Sequence, residues 1–347
     1  MGDMRETKMA WGKITSALGV VAAAALGGTI YAIGAGWFWP CETLGRPFSA
    51  GACEKITTIT DRSVGPFALL QNGNLLVATS GQGTEPTDPP SLLEIAPATG
   101  ETLATTVLTS LPPDARPVIM ALNADASQIA LSNSYERAVV VSRDGTTLAT
   151  LDRWLPAYLA FDDKGYLLLD MGRNPDGLPS QDSAEAWDMA NPGTQPVAIT
   201  PADTTKLFRQ GINAAISADG TFAQLIDHVS DSPITGLRVG KLGMENAPGT
   251  FFGVSLRAGC SHATGEVAFS PFGYQLAAEF SCPERWGQIS SALVVWDYEK
   301  NVTLLTVPTI DYFDDLVWQD TNTILASRYN FGPKTTDLLR IAVPNAK

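Results

Sequence analysis

Lysine and arginine are scarce in this chain: 23 of them stand against 36 Asp and Glu, a formal net charge of −13. Phosphate binding needs clustered cations, so this balance argues against a nucleic-acid partner. It suits solubility, or a basic protein partner. Histidine is scarcer still, with two in 347 residues, and cysteine is limited to four. No C-x-x-C occurs, which removes both a thioredoxin-type motif and a zinc ribbon. A G-x-S-x-G elbow, an H-E-x-x-H pair and a phosphate-binding glycine loop are missing as well. What is plentiful is turn material: 31 Gly and 23 Pro, 54 residues together, beside a charged fraction of only 17%. The length suffices for one or two domains, and all-β domains run long as single units.

The longest uncharged stretch is ITSALGVVAAAALGGTIYAIGAG, Ile14 to Gly36, 23 residues. As a helix it spans roughly 35 Å, enough to cross a bilayer. Trp11 precedes it and Trp37 and Trp39 follow, where interfacial aromatics belong. Arg5, Lys8 and Lys13 lie on the N-terminal side, so the positive-inside rule keeps the N-terminus cytoplasmic and exports everything after the span. A cleaved signal peptide, cut after Ala32-Ile33-Gly34, is the alternative, but the apolar run exceeds the usual signal-peptide core of about 7 to 15 residues. Ala24, Gly28, Ala32 and Gly36 recur every fourth residue, a face of small side chains on which another transmembrane helix can pack. Ala- and Gly-rich anchors also produce such series by chance.

All four cysteines follow the span, as Cys41/Cys53 and Cys260/Cys282. An even number on the exported side fits two disulfides in an oxidising compartment, against the alternative of four cytosolic thiols.

Beyond the span, one pattern recurs six times: LLQNGNLLVATS from Leu69, ALNADASQIALS from Ala121, AFDDKGYLLLDM from Ala160, AISADGTFAQLI from Ala215, AFSPFGYQLAAE from Ala268 and VWQDTNTILASR from Val317. Each is a short apolar strand, a turn of Asn, Asp, Gly, Pro or Ser, and a second apolar strand. Five are followed by another hairpin, such as LLEIAPATGETLATTV from Leu92 and LVVWDYEKNVTLLTV from Leu293. The unit is therefore four strands, a to d, repeating every 40 to 55 residues or so, a propeller-blade period. The sixth unit ends after strand c, LLRIAV from Leu338. That would leave an exposed edge, and the β-branched run EKITTIT, Glu54 to Thr60, is placed to supply the missing strand d and close the ring.

In the fifth unit FSPFGYQLA followed by VVWDYEKN resembles the WD-repeat and WD-like β-propellers, and the likeness extends from about Glu54 to Val343. Trp296-Asp297 is the one full Trp-Asp signature, with a looser echo in Trp187-Asp188; the family's Gly-His dipeptide does not occur. The resemblance implies an architecture and no reaction. The expected fold class is all-β, a six-bladed β-propeller closed by an N-terminal strand and preceded by one transmembrane α-helix. The expected division is a cytoplasmic tail 1–13, a transmembrane helix 14–39, a linker with a disulfide 40–53 and the propeller 54–347.

In such a ring the a–b and c–d turns lie at one rim, and the b–c and d–a connections at the other. Several b–c connections are long: GQGTEPTDPPS from Gly81, GRNPDGLPSQDS from Gly172, HVSDSPITG from His228 and CPERWGQISS from Cys282. Long loops on a rigid scaffold are where binding usually resides, so this rim is the expected recognition surface. Cys260, before a strand a, and Cys282, after its strand b, return to that rim within bridging reach. Since strand d starts at the tight-turn rim, the anchor attaches there.

His228 and His262 fall on the long-loop rim, and with Asp227 and Asp231 they are the residues a metal site would draw on. No metal-ligand spacing accompanies them, so solvated loop histidines are the plainer reading. Asp162-Asp163 and Asp311, Asp314, Asp315 are carboxylate groups open to acid/base or calcium readings, but the first pair sits in an a–b turn where Asp is a good turn former. Asn301-Val302-Thr303 is a formal glycosylation acceptor. No catalytic residue, metal or cofactor is assigned. The expected function is a non-catalytic, exported, membrane-anchored propeller on the periplasmic side, an accessory or assembly subunit of a larger membrane complex. Its partners would be integral membrane proteins at the helix and a protein at the long-loop rim. A lactonase-like metal-dependent hydrolase with a central polar pocket, and a ligand sensor, are the alternatives.

Overall fold

The computed structural model describes residues 53–60, 62–81, 88–133, 137–154, 158–170, 184–198, 210–212, 214–217, 219–226, 235–241, 249–254, 266–283, 289–309, 312–330 and 334–344. No helix among them is long and apolar enough to cross a membrane. The expected span with Trp11, Trp37, Trp39, Ala24, Gly28, Ala32 and Gly36 lies outside the described residues.

The described strands form six antiparallel sheets. The chain enters through β1 (Cys53–Ile59) and then builds the first blade from β2 (Arg62–Leu69), β3 (Leu75–Gly81), β4 (Ser91–Ala96) and β5 (Glu101–Val107). The second blade is β6 (Pro117–Leu122), β7 (Gln128–Asn133), β8 (Arg137–Ser142) and β9 (Thr147–Trp154). The third is β10 (Tyr158–Phe161), β11 (Tyr166–Asp170), β12 (Ala184–Asp188) and the two-residue β13 (Val197–Ala198). After β14 (Gln210–Ile212) the fourth follows as β15 (Ala214–Ile216), β16 (Thr221–Ile226), β17 (Thr235–Lys241) and β18 (Thr250–Val254). The fifth is β19 (Glu266–Phe269), β20 (Gln275–Pro283), β21 (Ile289–Asp297) and β22 (Val302–Thr309), and the last comprises β23 (Tyr312–Asp320), β24 (Thr323–Asn330) and β25 (Thr335–Ala342).

The last blade is completed by β1, which pairs antiparallel with β25 as its fourth strand. The β-branched run before the first repeat thus closes the ring, as its composition and the short sixth unit predict. Cys53 pairs opposite Ile341, near the end of β25, so the chain enters the ring at the tight-turn rim.

Strand b of each blade explains why the repeat is visible in the sequence. It lies between two neighbours, so both its faces are buried and its pattern is a continuous apolar run. In β3, Leu75 and Val77 pack toward the last blade with Leu325 and Leu338, while Leu76 and Ala78 pack toward the second blade with Ile129 and Leu131. In β20, Leu276, Ala278 and Phe280 face the fourth blade, and Ala277 faces the last. Successive side chains of a strand point to opposite faces, which is what divides the core among the gaps between blades. Each fully buried Leu contributes about 1.5–3 kcal/mol of transfer free energy.

Two features depart from the four-strand expectation. β14 adds to β19 on the side away from β20, so the fifth sheet has five strands. And β20 and β21 extend to Pro283 and from Ile289, so that Cys282 pairs with Ser290 inside strand b; it does not follow the strand, and the CPERWGQISS connection is shorter than its composition suggests. Ser281, Cys282 and Pro283 pair with Ser291, Ser290 and Ile289, so the ladder runs on through the Cys-Pro segment.

Candidate functional site

The tight-turn rim is built from one local device used six times. At each a–b turn a side-chain oxygen accepts the backbone N–H two residues on: Asn72 from Asn74 (3.0 Å), Asp125 from Ser127 (3.0 Å), Asp162 from Lys164 (2.9 Å), Asp219 from Thr221 (3.0 Å), Ser270 from Phe272 (3.2 Å) and Asp320 from Asn322 (2.7 Å). The Asx or Ser side chain replaces a backbone acceptor and locks the reversal. Asp162 is therefore a turn former, holding Tyr166 N–H at 2.8 Å as well. Hydrogen bonds from Ser127 and from Ser142 hold the Asp125 and Asp144 carboxyls below their ordinary value.

The c–d turns on the same rim dock onto the preceding blade. Gly100, with φ +73°, lies so close to β1 that a Cβ would stand 2.2 Å from the Ile56 carbonyl oxygen. Gly145 repeats the contact one blade on, against Thr106 and Val107 of β5. There Arg143 pairs with Glu94, and Thr106 Oγ1 donates to the Arg143 carbonyl at 3.2 Å. Arg340 joins the last blade to the first, donating to Glu54 at 2.6 Å and to the Pro97 carbonyl at 2.7 Å.

Between the fourth and fifth blades this rim opens into a cleft of ≈ 320 Å³. Ser217 and Asp219 form one wall; Phe269, Ser270, Pro271, Gly273 and Tyr274, with Tyr298 from the next turn, form the other. Tyr298 meets Phe269 and Tyr274 edge to face, with ring centroids 5.4 and 5.8 Å apart, and its N–H donates to the Tyr274 carbonyl at 2.9 Å. Burial pushes the Tyr298 phenol up to about 12, and Asp219, Tyr274, Glu299 and Asp297 add to the rise. Burial opposes the Asp219 charge, but hydrogen bonds from Lys241, Ser217 and Thr221 outweigh it and hold that carboxyl well below the ordinary range. Lys241 Nζ lies 2.8 Å from Asp219 Oδ2 and 2.7 Å from Thr221 Oγ1. Tyr274 of the lining and Phe272, between the lining residues Pro271 and Gly273 in sequence, are each 51% exposed.

On the long-loop rim the described residues include strand ends and the whole connection 108–116, whereas His228, His262, Asp227 and Asp231 lie outside the described residues, as do Cys41 and Cys260. Cys53 is disulfide-bonded. Among the described residues no cluster of three metal-ligating side chains occurs. Asp311 also lies outside them, and Asp315 is buried between strands, 7% exposed, as a structural acceptor. Trp296 fills the gap between the fourth and fifth blades against Phe252 and Phe280, while Asp297 caps its turn by accepting the Lys300 N–H at 2.9 Å. Asn301 stands at φ +55°, a backbone state that Asn tolerates well.

The cleft is absent from the sequence expectations. Its signal is the composition of one turn: SPFGY places Phe272 where the other a–b turns carry Asn74, Ser127, Lys164, Thr221 and Asn322.

The six sheets and their closure define a six-bladed β-propeller. No protein-family model matches the chain, and no curated protein matches it. Among solved structures it is similar to one described as the structure of U3-55K, with 10% identity over 84% of this chain and 98% of that one and a TM-score of 0.44. It is similar also to the RRP9 WD40 repeats, with 9% identity over 84% and 97% and a TM-score of 0.45.

Proposed function

We propose that this chain is a membrane-anchored, non-catalytic propeller, an accessory or assembly subunit of a larger membrane complex, with its ring on the periplasmic side. The observation that carries the reading is the register of ring closure. Cys53 opposite Ile341 ties the segment that follows the apolar run directly to the outermost strand of the last blade, at the tight-turn rim. An anchor joined there would leave the long-loop rim turned away from the bilayer, available to a partner. The Ala24, Gly28, Ala32 and Gly36 face would pack on a transmembrane helix of the complex. Disulfides Cys41/Cys53 and Cys260/Cys282 belong to the same reading, in which the ring matures in an oxidising compartment.

The position of β14 favours this over the hydrolase alternative. Strands a line the channel of a propeller, and β14 takes the free edge of one of them, where a central polar pocket would have its wall. The experiment is extraction in gentle detergent followed by size separation and identification of what migrates with the chain, for the native sequence and for Gly28→Leu. Stoichiometric membrane subunits that are lost in the variant support the proposal. A lone species near its own mass, or a partner set that Gly28→Leu leaves intact, counts against it.

A further inference from the structure

The cleft between the fourth and fifth blades combines three features that no part of the ring's own construction requires: a void, half-exposed aromatic rings at its mouth, and an excess of negative charge around them. The a–b turn of the fifth blade is locked by Ser270 Oγ accepting the Phe272 N–H, yet Phe272 and Tyr274 are each left 51% exposed. Exposed aromatic rings at a concave edge are a mark of recognition surfaces.

The charges select among occupants. Asp219, Asp297 and Glu299 all act on the Tyr298 phenol. Two cations are nearby, and each is engaged inside its own blade: Lys241 with Asp219, and Lys300 with Asp297 at 3.4 Å. Among the described residues Glu299, exposed and next in sequence to the lining residue Tyr298, is in no ion pair, within a chain of net charge −13. Aromatic faces carry negative quadrupole density and attract cations. An anionic or phosphorylated ligand is disfavoured by the same charges. A planar guanidinium is the group that can both stack on Tyr and Phe and take a carboxylate through its fork.

We propose that this cleft is a docking site for an arginine side chain presented by an extended segment of a protein partner, with Phe272, Tyr274 and Tyr298 covering the guanidinium and Glu299 pairing with it. The site lies on the opposite rim from the long loops, and the inference stands whether or not the chain is anchored. Its use would be to hold a second segment of a partner, so that two weak contacts on one rigid ring act together.

The test uses the full-length chain, in detergent, labelled with 3-fluorotyrosine. The resonances of Tyr274 and Tyr298 are assigned by Tyr274→Phe and Tyr298→Phe, and the protein is titrated with acetyl-Gly-Arg-Gly-amide and with the same peptide carrying citrulline, which keeps the shape and removes the charge. The expected result is a saturable shift of both resonances by the arginine peptide. Binding of the citrulline peptide is expected to be at least about tenfold weaker, and Glu299→Gln and Phe272→Ala are each expected to weaken the arginine peptide about threefold or more. Phe272 and Glu299 are exposed, so the fold survives their replacement, and an unchanged unfolding curve verifies it. Equal response to both peptides overturns the proposal, as does a response indifferent to Phe272→Ala and Glu299→Gln. Broadening of the Tyr274 resonance by spin-labelled lipid in a nanodisc, with no response to the arginine peptide, overturns it in favour of bilayer contact.

Discussion

The backbone N–H of Phe67 donates to Oδ2 of Asp315 at 2.7 Å, joining the innermost strand of the first blade to that of the last across 248 positions of sequence. The second carboxylate oxygen accepts the N–H of Leu316 at 2.9 Å, so one buried side chain satisfies two backbone donors at the seam where the ring closes. Asp315→Ala leaves the Phe67 N–H buried without its acceptor and is expected to cost about 1–3 kcal/mol. Asp315→Asn retains an amide oxygen for Phe67 and costs less. Chemical denaturation of the two variants checks this, and equal losses would show that the bond at Phe67 carries nothing.

The same blade holds a buried ion pair. Arg328 and Asp337 lie on adjacent strands with side chains 6% and 5% exposed, and Thr58 of the closing strand donates to the other Asp337 oxygen at 2.6 Å. Removing one partner strands the other charge, so Asp337→Ala is expected to cost about 3–5 kcal/mol, whereas Arg328→Met with Asp337→Leu is nearly neutral. A double-mutant cycle on unfolding free energies separates the two cases.

Acid sensitivity follows from that pair. Burial would push the Asp337 carboxyl up, but hydrogen bonds from Thr58, Asn330 and Arg328 and the nearby guanidinium hold it below its ordinary value of 3.8. A carboxyl depressed in the folded state contributes stability above pH 3.8 that is lost as pH falls through the folded value. Stability measured against pH is expected to drop below about pH 4, and to drop less steeply in Asp337→Asn. An acid limb of the same slope in both proteins would place the titration elsewhere.

Gly100 and Gly73 both adopt left-handed backbone, at φ +73° and +83°, but a Cβ at Gly73 would meet nothing within 4 Å, whereas one at Gly100 would stand 2.2 Å from the Ile56 carbonyl oxygen. Gly73→Ala is expected to cost about 1–2 kcal/mol for the conformation alone. Gly100→Ala adds a backbone clash with the closing strand, so its cost is larger and amide exchange over 53–59 speeds up. Equal costs for the two substitutions would contradict the packing of this turn on β1.

At the other end of the pH scale, the Tyr298 phenol raised to about 12 contributes stability that is complete below 10 and is lost as pH rises through 12. Phenolate absorbance should therefore show one tyrosine titrating late, missing from Tyr298→Phe. The exposed part of the ring keeps the stability effect small. A titration curve indistinguishable between the two proteins would refute the assignment.

Much of this ring was legible in the sequence because its information is local. The six a–b turns each carry their own oxygen acceptor at Asn72, Asp125, Asp162, Asp219, Ser270 or Asp320, and the strands beside them read as apolar runs because both faces are covered. The closing strand was legible by subtraction, as a β-branched run before a series whose last member lacks a strand. The added strand β14 was not, since QGI carries no periodicity and its partner β19 lies more than fifty residues on. Nor was the arrangement of the cleft: Asp219, Phe269, Tyr274 and Tyr298 belong to three different turns.

Strand alternation and turn chemistry act within a dozen residues, and they already set the number of blades, the strand that closes the ring and the rim at which the chain enters. That Asp315 is the acceptor at the seam, that Cys282 lies within a strand and that Asp219, Phe269, Tyr274 and Tyr298 converge between the fourth and fifth blades came from the folded ring alone. Those outcomes depend on which blade stands next to which and at what register, and such contacts are set by packing between residues far apart in the chain.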